Sequence, residues 1–269
     1  MRIRVPRRVA LAVGALALLG AATAPAVAVT DDEGSSFAAA SPKPTVVLVH
    51  GAWADSSSWS PVIERLRKDG YPVRALANPL RGLTSDTAYV SSYLSTIDGP
   101  VVLVGHSYGG AVITNSAASD PDVKALVYIA GFIPAKGETV GDLAAKTSPS
   151  IPLVSTVVPD GTDVSIDPDR FREVFAGDVD KTTAADLSVT QRPANTKAVT
   201  DAGTEEGFRT IPSWALITRL DHAIAPGVQR FMAKRAGAHM EEVDASHAVM
   251  ISRPDAVTHV IEDAARSTR

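Results

Sequence analysis

Val101-Val102-Leu103-Val104-Gly105-His106-Ser107-Tyr108-Gly109-Gly110-Ala111-Val112-Ile113 reads as a strand, a sharp turn and a helix. Four unbroken apolar residues predict a buried strand, and the small and apolar residues after Tyr108 predict a helix. Between them a serine stands in Gly-x-Ser-x-Gly. A serine held on so tight a strand-to-helix turn adopts a strained backbone, and glycines on both sides relieve the crowding. The turn lifts the Ser107 hydroxyl above the end of a sheet. Composition alone produces the five-residue pattern in roughly one chain in ten of this length. Its weight therefore comes from the strand before it and the helix after it.

Working outward, the same alternation recurs. Thr45 to Val49, Tyr71 to Leu76, Val123 to Ile129 and Trp214 to Thr218 are further strand candidates. Apolar residues at helical spacing mark Trp59 to Lys68, Ser85 to Ile97, Tyr108 to Ala118, Ala225 to Lys234 and Pro254 to Ala265. Continuous Val, Ile and Leu runs suit strands covered on both faces, so the expected fold class is α/β, with a mostly parallel central sheet and helices on both sides. The regularity lapses between residues 134 and 211, where Pro, Gly, Thr and Asp are frequent. An interruption this long in an α/β domain predicts a functional insertion, here a small cap.

The first residues follow a different logic. Arg2, Arg4, Arg7 and Arg8 precede an apolar run from Val9 to Ala22, and small residues end in Ala26-Val27-Ala28. That layout predicts a secretory signal peptide over 1–28, because the apolar run is shorter than the roughly 20 residues needed to span a bilayer. A polar, aperiodic linker is expected over 29–43 and a single domain over 44–269. The mature protein is expected outside the cytoplasm, extracellular or periplasmic, with no stable membrane anchor. The chain has no cysteine, which excludes disulfides, thiol nucleophiles and Cys-based metal sites. A formal net charge of -4 without a basic run argues against nucleic-acid partners. No pair of histidines has metal-ligand spacing, and the sequence implies neither metal nor cofactor.

A serine hydroxyl is a poor nucleophile at neutral pH and needs a histidine base that a carboxylate orients. On this fold the expected chain order is Ser, acid, His. His247 follows the stretch His239 to Val243 and precedes the last helix, where a loop can return it over the sheet. His259 lies inside that helix and His239 inside the strand candidate. His222 is the rival, but its position leaves no room for an acid before it. Asp221, just beyond the strand Trp214 to Thr218, is the expected orienting acid; Asp244 lies too close to His247 in sequence, and Asp142 lies in the insertion. The oxyanion donors expected are the backbone N–H groups of Tyr108, after the nucleophile, and Ala52, in the loop after the first strand, where Gly51 permits close backbone approach. Gly51, Trp53 and Phe132 are the expected substrate-binding residues. Phe171, Phe175 and Leu187 are candidate pocket walls in the cap or, equally, its own small core.

At these residues the chain resembles the α/β-hydrolase superfamily, and within it the branch of plant methylesterases, hydroxynitrile lyases and their bacterial esterase relatives. The resemblance runs over about residues 44 to 265 and rests on His50-Gly51-Ala52-Trp53, Asn78-Pro79-Leu80-Arg81-Gly82, Gly105-His106-Ser107-Tyr108-Gly109-Gly110, Asp221 with Gln229-Arg230-Phe231-Met232, and Ser246-His247. It is dense at the loops and thin in the cap. Two departures bear on the reaction. Where plant hydroxynitrile lyases carry a threonine this chain has Gly51, and where they carry a lysine after the catalytic histidine it has Ala248. Cyanide would lack a cationic partner, so the resemblance implies hydrolysis of a small to medium apolar ester or lactone. Three rivals share the fold: cofactor-free halide oxidation or carbon–carbon hydrolysis on the same triad, a receptor-like binding module with little turnover, and a structural protein.

Overall fold

The computed structural model describes residues 42–146 and 151–268. The leader expected over 1–28 and residues 29–41 of the expected linker lie outside the described residues. Strands β1 (Thr45–Val49), β2 (Val73–Leu76), β3 (Val101–His106) and β4 (Val123–Ile129) alternate with helices α1 (Ser60–Lys68), α2 (Leu83–Leu94) and α3 (Tyr108–Ser116). The chain then makes α4 (Val140–Ala144), β5 (Leu153–Val158), β6 (Gly161–Ile166), α5 (Pro168–Phe175), α6 (Lys181–Val189), β7 (Ala194–Asn195) and α7 (Lys197–Thr200). It returns in β8 (Ser213–Thr218), α8 (Pro226–Arg235), β9 (His239–Val243), α9 (Val249–Ser252) and α10 (Pro254–Arg266).

The main sheet runs β2-β1-β3-β4-β8-β9 with every neighbouring pair parallel. Its central strands are apolar without alternation because both faces are covered. Val46, Leu48, Val102 and Val104 pack with residues of α1 and α10, whereas Val47, Val49 and Leu103 pack with residues of α2, α3 and α8. Each fully buried side chain of this size contributes about 1.5–3 kcal/mol. The strand expected from Tyr71 begins at Val73, after Pro72, which has no N–H to give to the ladder. The helix expected from Ser85 begins at Leu83, where Gly82 at φ 144° turns the chain into it.

Between β4 and β8 the chain builds an antiparallel sheet of order β5-β6-β7. Phe171, Val174 and Phe175 of α5 pack with Ile166, Ala184, Ala223 and Ala248, with Leu187 against them. Phe171, Phe175 and Leu187 therefore belong to a small core that the insertion shares with Ala223 and Ala248 of the loops after β8 and β9, and not to the wall of the cavity described below. The insertion is tied to the main sheet's loops at separate points. Arg81 donates both guanidinium nitrogens to the Asp163 carboxylate at 2.9 and 3.0 Å. Asn195 N–H donates to Leu80 O at 2.9 Å, and Trp53 Nε1 to Val164 O at 2.9 Å.

Parallel strands place all their carboxyl ends on one edge of the sheet. β1 and β3 are neighbours, but the chain leaves β1 for β2 on its other side, so the strand order reverses between them and the loops there diverge to leave a crevice. The loop carrying Gly51 and Ala52, the Ser107 turn, Asp221 and His247 follow β1, β3, β8 and β9 respectively, so they converge on that edge.

Candidate active site

Ser107 takes φ 53° and ψ −124°, a left-handed conformation that costs a non-glycine residue of order 1–3 kcal/mol. The surroundings hold it there. Ser107 N–H donates to Ile129 O at 3.2 Å, while Ser107 O accepts from Gly110 N–H at 2.9 Å and Phe132 N–H at 3.0 Å. The motif glycine after it is required by packing: a Cβ on Gly109 would stand 2.4 Å from Val49 O. Gly51 approaches from the other side. A Cβ there would lie 2.6 Å from Ser107 Cβ and 3.2 Å from Ser107 Oγ, so the chain at Gly51-Ala52 passes directly against the serine. Tyr108 is the first residue of α3, and its N–H has no acceptor within the helix. The positive end of the α3 dipole thus faces the space above Ser107.

Asp221 and His247 come together across the ends of β8 and β9, which are in register through Thr218 and Val243. His247 Nδ1 donates to Asp221 Oδ2 at 2.7 Å, and both side chains are fully buried. The carboxylate is saturated. Its Oδ1 accepts Ala223 N–H and Ile224 N–H, each at 2.8 Å. Oδ2 accepts Thr218 Oγ1–H at 2.8 Å and Gln229 Nε2–H at 2.9 Å in addition to the imidazole. With its Nδ1 proton committed to Asp221, the neutral ring presents a lone pair at Nε2. That nitrogen is buried and has no hydrogen-bond partner among the described residues, so no bond joins it to Ser107 Oγ in this arrangement. Such bonds often tighten only in the reacting complex.

The rival groups are placed elsewhere. Asp244 is exposed and pairs with Arg219 at 2.6 Å. Asp142 caps α4 through Thr139. His222 donates Nδ1 to Glu173 O at 3.1 Å from an exposed position, His239 stacks on Trp214, and His259 is exposed beside Glu241.

Two further histidines are buried and neutral. His50 Nε2 accepts Asn78 N–H at 3.0 Å, so Nδ1 carries the proton and donates to Gly51 O at 2.9 Å. Burial drives its pKa down to about 4. Asn78 returns a bond to His50 O at 3.1 Å, and the loops after β1 and β2 are thereby locked together. His106 Nε2 donates to His247 O at 3.0 Å, with the two rings 4.7 Å apart between centroids. Burial holds the His106 pKa well below the ordinary range. Phe175 closes the other side of His247 edge-on at 4.8 Å, and Ala248 N–H donates to Phe175 O at 2.8 Å. Ser246 Oγ donates to the Asp178 carboxylate.

Above Ser107 lies a cavity of about 510 Å³. Ala52, Trp53, Ser107, Tyr108 and Phe132 line it from the main sheet's loops; Val140, Ala144, Val164 and Ala198 line it from the insertion. Gly51 is not part of this wall. No charged residue lines it among the described residues, and its polar groups are largely committed. Tyr108 Oη donates to Asp86 Oδ2 at 2.8 Å, and Asn195 Nδ2 donates to Asp163 at 3.2 Å. Asp86 is itself fully buried, which raises its pKa. Burial and the Asp86 charge likewise push the Tyr108 phenol up.

The sequence reading did not single out Thr218, Gln229, Asp86 or His106 for a role. Gln229 and His106 stood inside the quoted motifs, but nothing in a linear pattern says that an amide eight residues beyond Asp221 reaches back to it. Among the described residues no group of three or more His, Asp or Glu is arranged to hold a metal ion.

Comparison with known proteins agrees with this fold. A model of the alpha/beta hydrolase family matches residues 46–260. A carbendazim hydrolyzing esterase of Nocardioides sp. (strain SG-4G) is 32% identical over 116 residues, 38% of this chain; the match spans 48% of that enzyme, less than half its length. A pyrethroid hydrolase of Sphingobium wenxiniae is 28% identical over 250 residues, covering 81% of this chain and 86% of that one. The solved structure of polyneuridine aldehyde esterase superposes with a TM-score of 0.72 at 17% identity, covering 82% of this chain and 98% of that one. At that identity the likeness shows the fold.

Proposed function

Because the chain belongs to the α/β-hydrolase family, we propose that it is a carboxylic ester hydrolase that forms an acyl-enzyme on Ser107. The observation that carries this reading is the buried His247–Asp221 pair at 2.7 Å, which fixes the proton on Nδ1 and leaves Nε2 as the base. In the reaction Nε2 removes the hydroxyl proton as Ser107 Oγ attacks the ester carbonyl. The carbonyl oxygen becomes an oxyanion held by the N–H groups of Tyr108 and Ala52. Collapse of this adduct breaks the bond to the alcohol oxygen, which takes the proton from His247. Water, deprotonated by His247, then attacks the acyl-enzyme; collapse breaks the bond to Ser107 Oγ, which takes the proton back from His247, and the acid is released.

The substrate proposed is a small to medium apolar ester or lactone. The uncharged cavity, bounded by Trp53 and Phe132, supports it, as do the names of the relatives, an esterase and a pyrethroid hydrolase. Ala248, buried directly after His247, offers no cation of the kind cyanohydrin cleavage would need. Export of the mature protein is part of the proposal and rests on the sequence of residues 1–28; N-terminal sequencing of protein recovered from the medium tests it. The catalytic reading is tested with short-chain p-nitrophenyl esters. Ser107→Ala is expected to lower kcat by at least about 10³-fold with folding intact. Equal rates in the two proteins would overturn it.

A further inference from the structure

We propose that Gln229 is a positioning residue of the catalytic pair, acting through Asp221 and Thr218. This rests on the ester-hydrolase reading above. Gln229 stands in the first turns of α8 with its side chain buried among polar groups. Its Nε2 lies 2.9 Å from Asp221 Oδ2, 2.8 Å from Ile224 O and 3.0 Å from Thr218 Oγ1. Its Oε1 accepts Thr218 N–H at 3.1 Å. The amide can sit only one way round. Ile224 O and the carboxylate are acceptors, so the NH₂ must face them, and the Thr218 N–H must face the carbonyl.

That orientation orders the whole network. Thr218 Oγ1 has one proton. It goes to Asp221 Oδ2 at 2.8 Å rather than to Gln229 Oε1 at 3.3 Å, while the two Nε2 protons take the shorter contacts, Ile224 O and Asp221 Oδ2. Of the three donors on Oδ2, Gln229 supplies one directly and, by accepting Thr218 N–H, anchors the residue that supplies the second; the third is His247 Nδ1. Gln229 therefore does two things. It stops the carboxylate from rotating away from the imidazole, and it withdraws part of the Oδ2 charge that would otherwise bind the Nδ1 proton more strongly. It does not line the cavity, so substrate binding is outside its reach.

The ionisable groups facing the pair are few. His106 packs from β3 and is neutral by burial. Asp178 is bonded to Ser246 beside His247, and His222 follows Asp221 but is exposed and bonded to Glu173 O.

The test compares Gln229→Met, which keeps length but loses every hydrogen bond, with Gln229→Glu, which keeps length and an acceptor. For Gln229→Met, kcat on a p-nitrophenyl ester is expected to fall about 10- to 100-fold, the worth of a charge-assisted hydrogen bond. KM should stay within about twofold, and the acid limb of kcat/KM should move, because the carboxylate that holds the imidazole loses a donor. Gln229→Glu faces Asp221 with a second carboxyl; the buried pair shares one proton, so the Glu can still donate to Oδ2 and kcat should fall less than in Gln229→Met. The Nδ1 proton resonance of His247, observed by NMR in Ser107→Ala and in Ser107→Ala/Gln229→Met, reports the pair without turnover and in folded protein. A shift of this resonance in the double variant is expected. Variants that melt at lower temperature yet keep kcat, the acid limb and this resonance would show a purely structural role and overturn the proposal. Failure of the esterase reading would show separately, as full activity in Ser107→Ala.

Discussion

Replacing Asp221 by Asn changes one atom, and the consequence follows from counting donors. Five donors converge on the carboxylate, two on Oδ1 and three on Oδ2, at 2.7–2.9 Å. An amide has one acceptor oxygen. Turned toward Oδ1's place, it satisfies Ala223 and Ile224 but presents its own NH₂ to three donors. The imidazole can escape only by shifting its proton to Nε2, so that Nδ1 accepts from Asn. The nitrogen that should deprotonate Ser107 is then occupied. In a serine protease the equivalent change leaves the geometry intact and lowers kcat by about 10⁴, and a similar loss is expected here. Stability should fall by about 1–3 kcal/mol for the donors left facing a donor, which for a domain of this size lowers Tm by roughly 2–12 °C. Asp244→Asn is the control. Its carboxylate is 64% exposed against Arg219, and an exposed pair contributes about 0–1 kcal/mol, so activity should be unchanged. The assay is kcat on a p-nitrophenyl ester, with circular dichroism and a melting curve for each variant. A kcat for folded Asp221→Asn within tenfold of wild type would refute the reasoning, and loss in Asp244→Asn alone would transfer the acid's role.

Ala144→Phe should shorten the cavity from the insertion side: in a series of esters of increasing chain length, each methylene added in wild type should raise kcat/KM about fourfold, from about 0.8 kcal/mol of burial. In the variant the rise should stop earlier while the acetate ester is spared, and parallel series would refute this wall. Asp86→Asn addresses the buried carboxylate. Burial raises its folded pKa above the ordinary 3.8, so its contribution to stability is complete below about pH 4 and is lost as pH rises through the folded value. Urea unfolding should therefore show the variant gaining on wild type as pH rises above about 4, and a difference independent of pH would contradict this account.

How much was legible depended on whether the signal was local. The Ser107 turn could be read because strand, turn and helix are contiguous and each imposes its own composition. The order Ser107, Asp221, His247 could be read because loops at the carboxyl ends of parallel strands must return to one edge. The insertion was visible only as a lapse in regularity. β5 is largely exposed, β7 is two residues long, and neither leaves a periodic apolar pattern. Phe171 and Phe175 illustrate the limit. Their aromatic character suits a pocket wall or a small core equally, and only their packing with Ile166, Ala184, Ala223 and Ala248 decides for the core.

By itself the sequence determined the alternating fold, the strained serine and the residues able to accept and orient its proton, because covalent spacing and hydrophobic period are properties of the chain alone. The tertiary structure decided what reaches what. Only packing brings Gly51 against Ser107, sets His106 beneath His247, and turns the Gln229 amide toward Asp221. Those contacts depend on distances between segments far apart in sequence, and no linear pattern carries them.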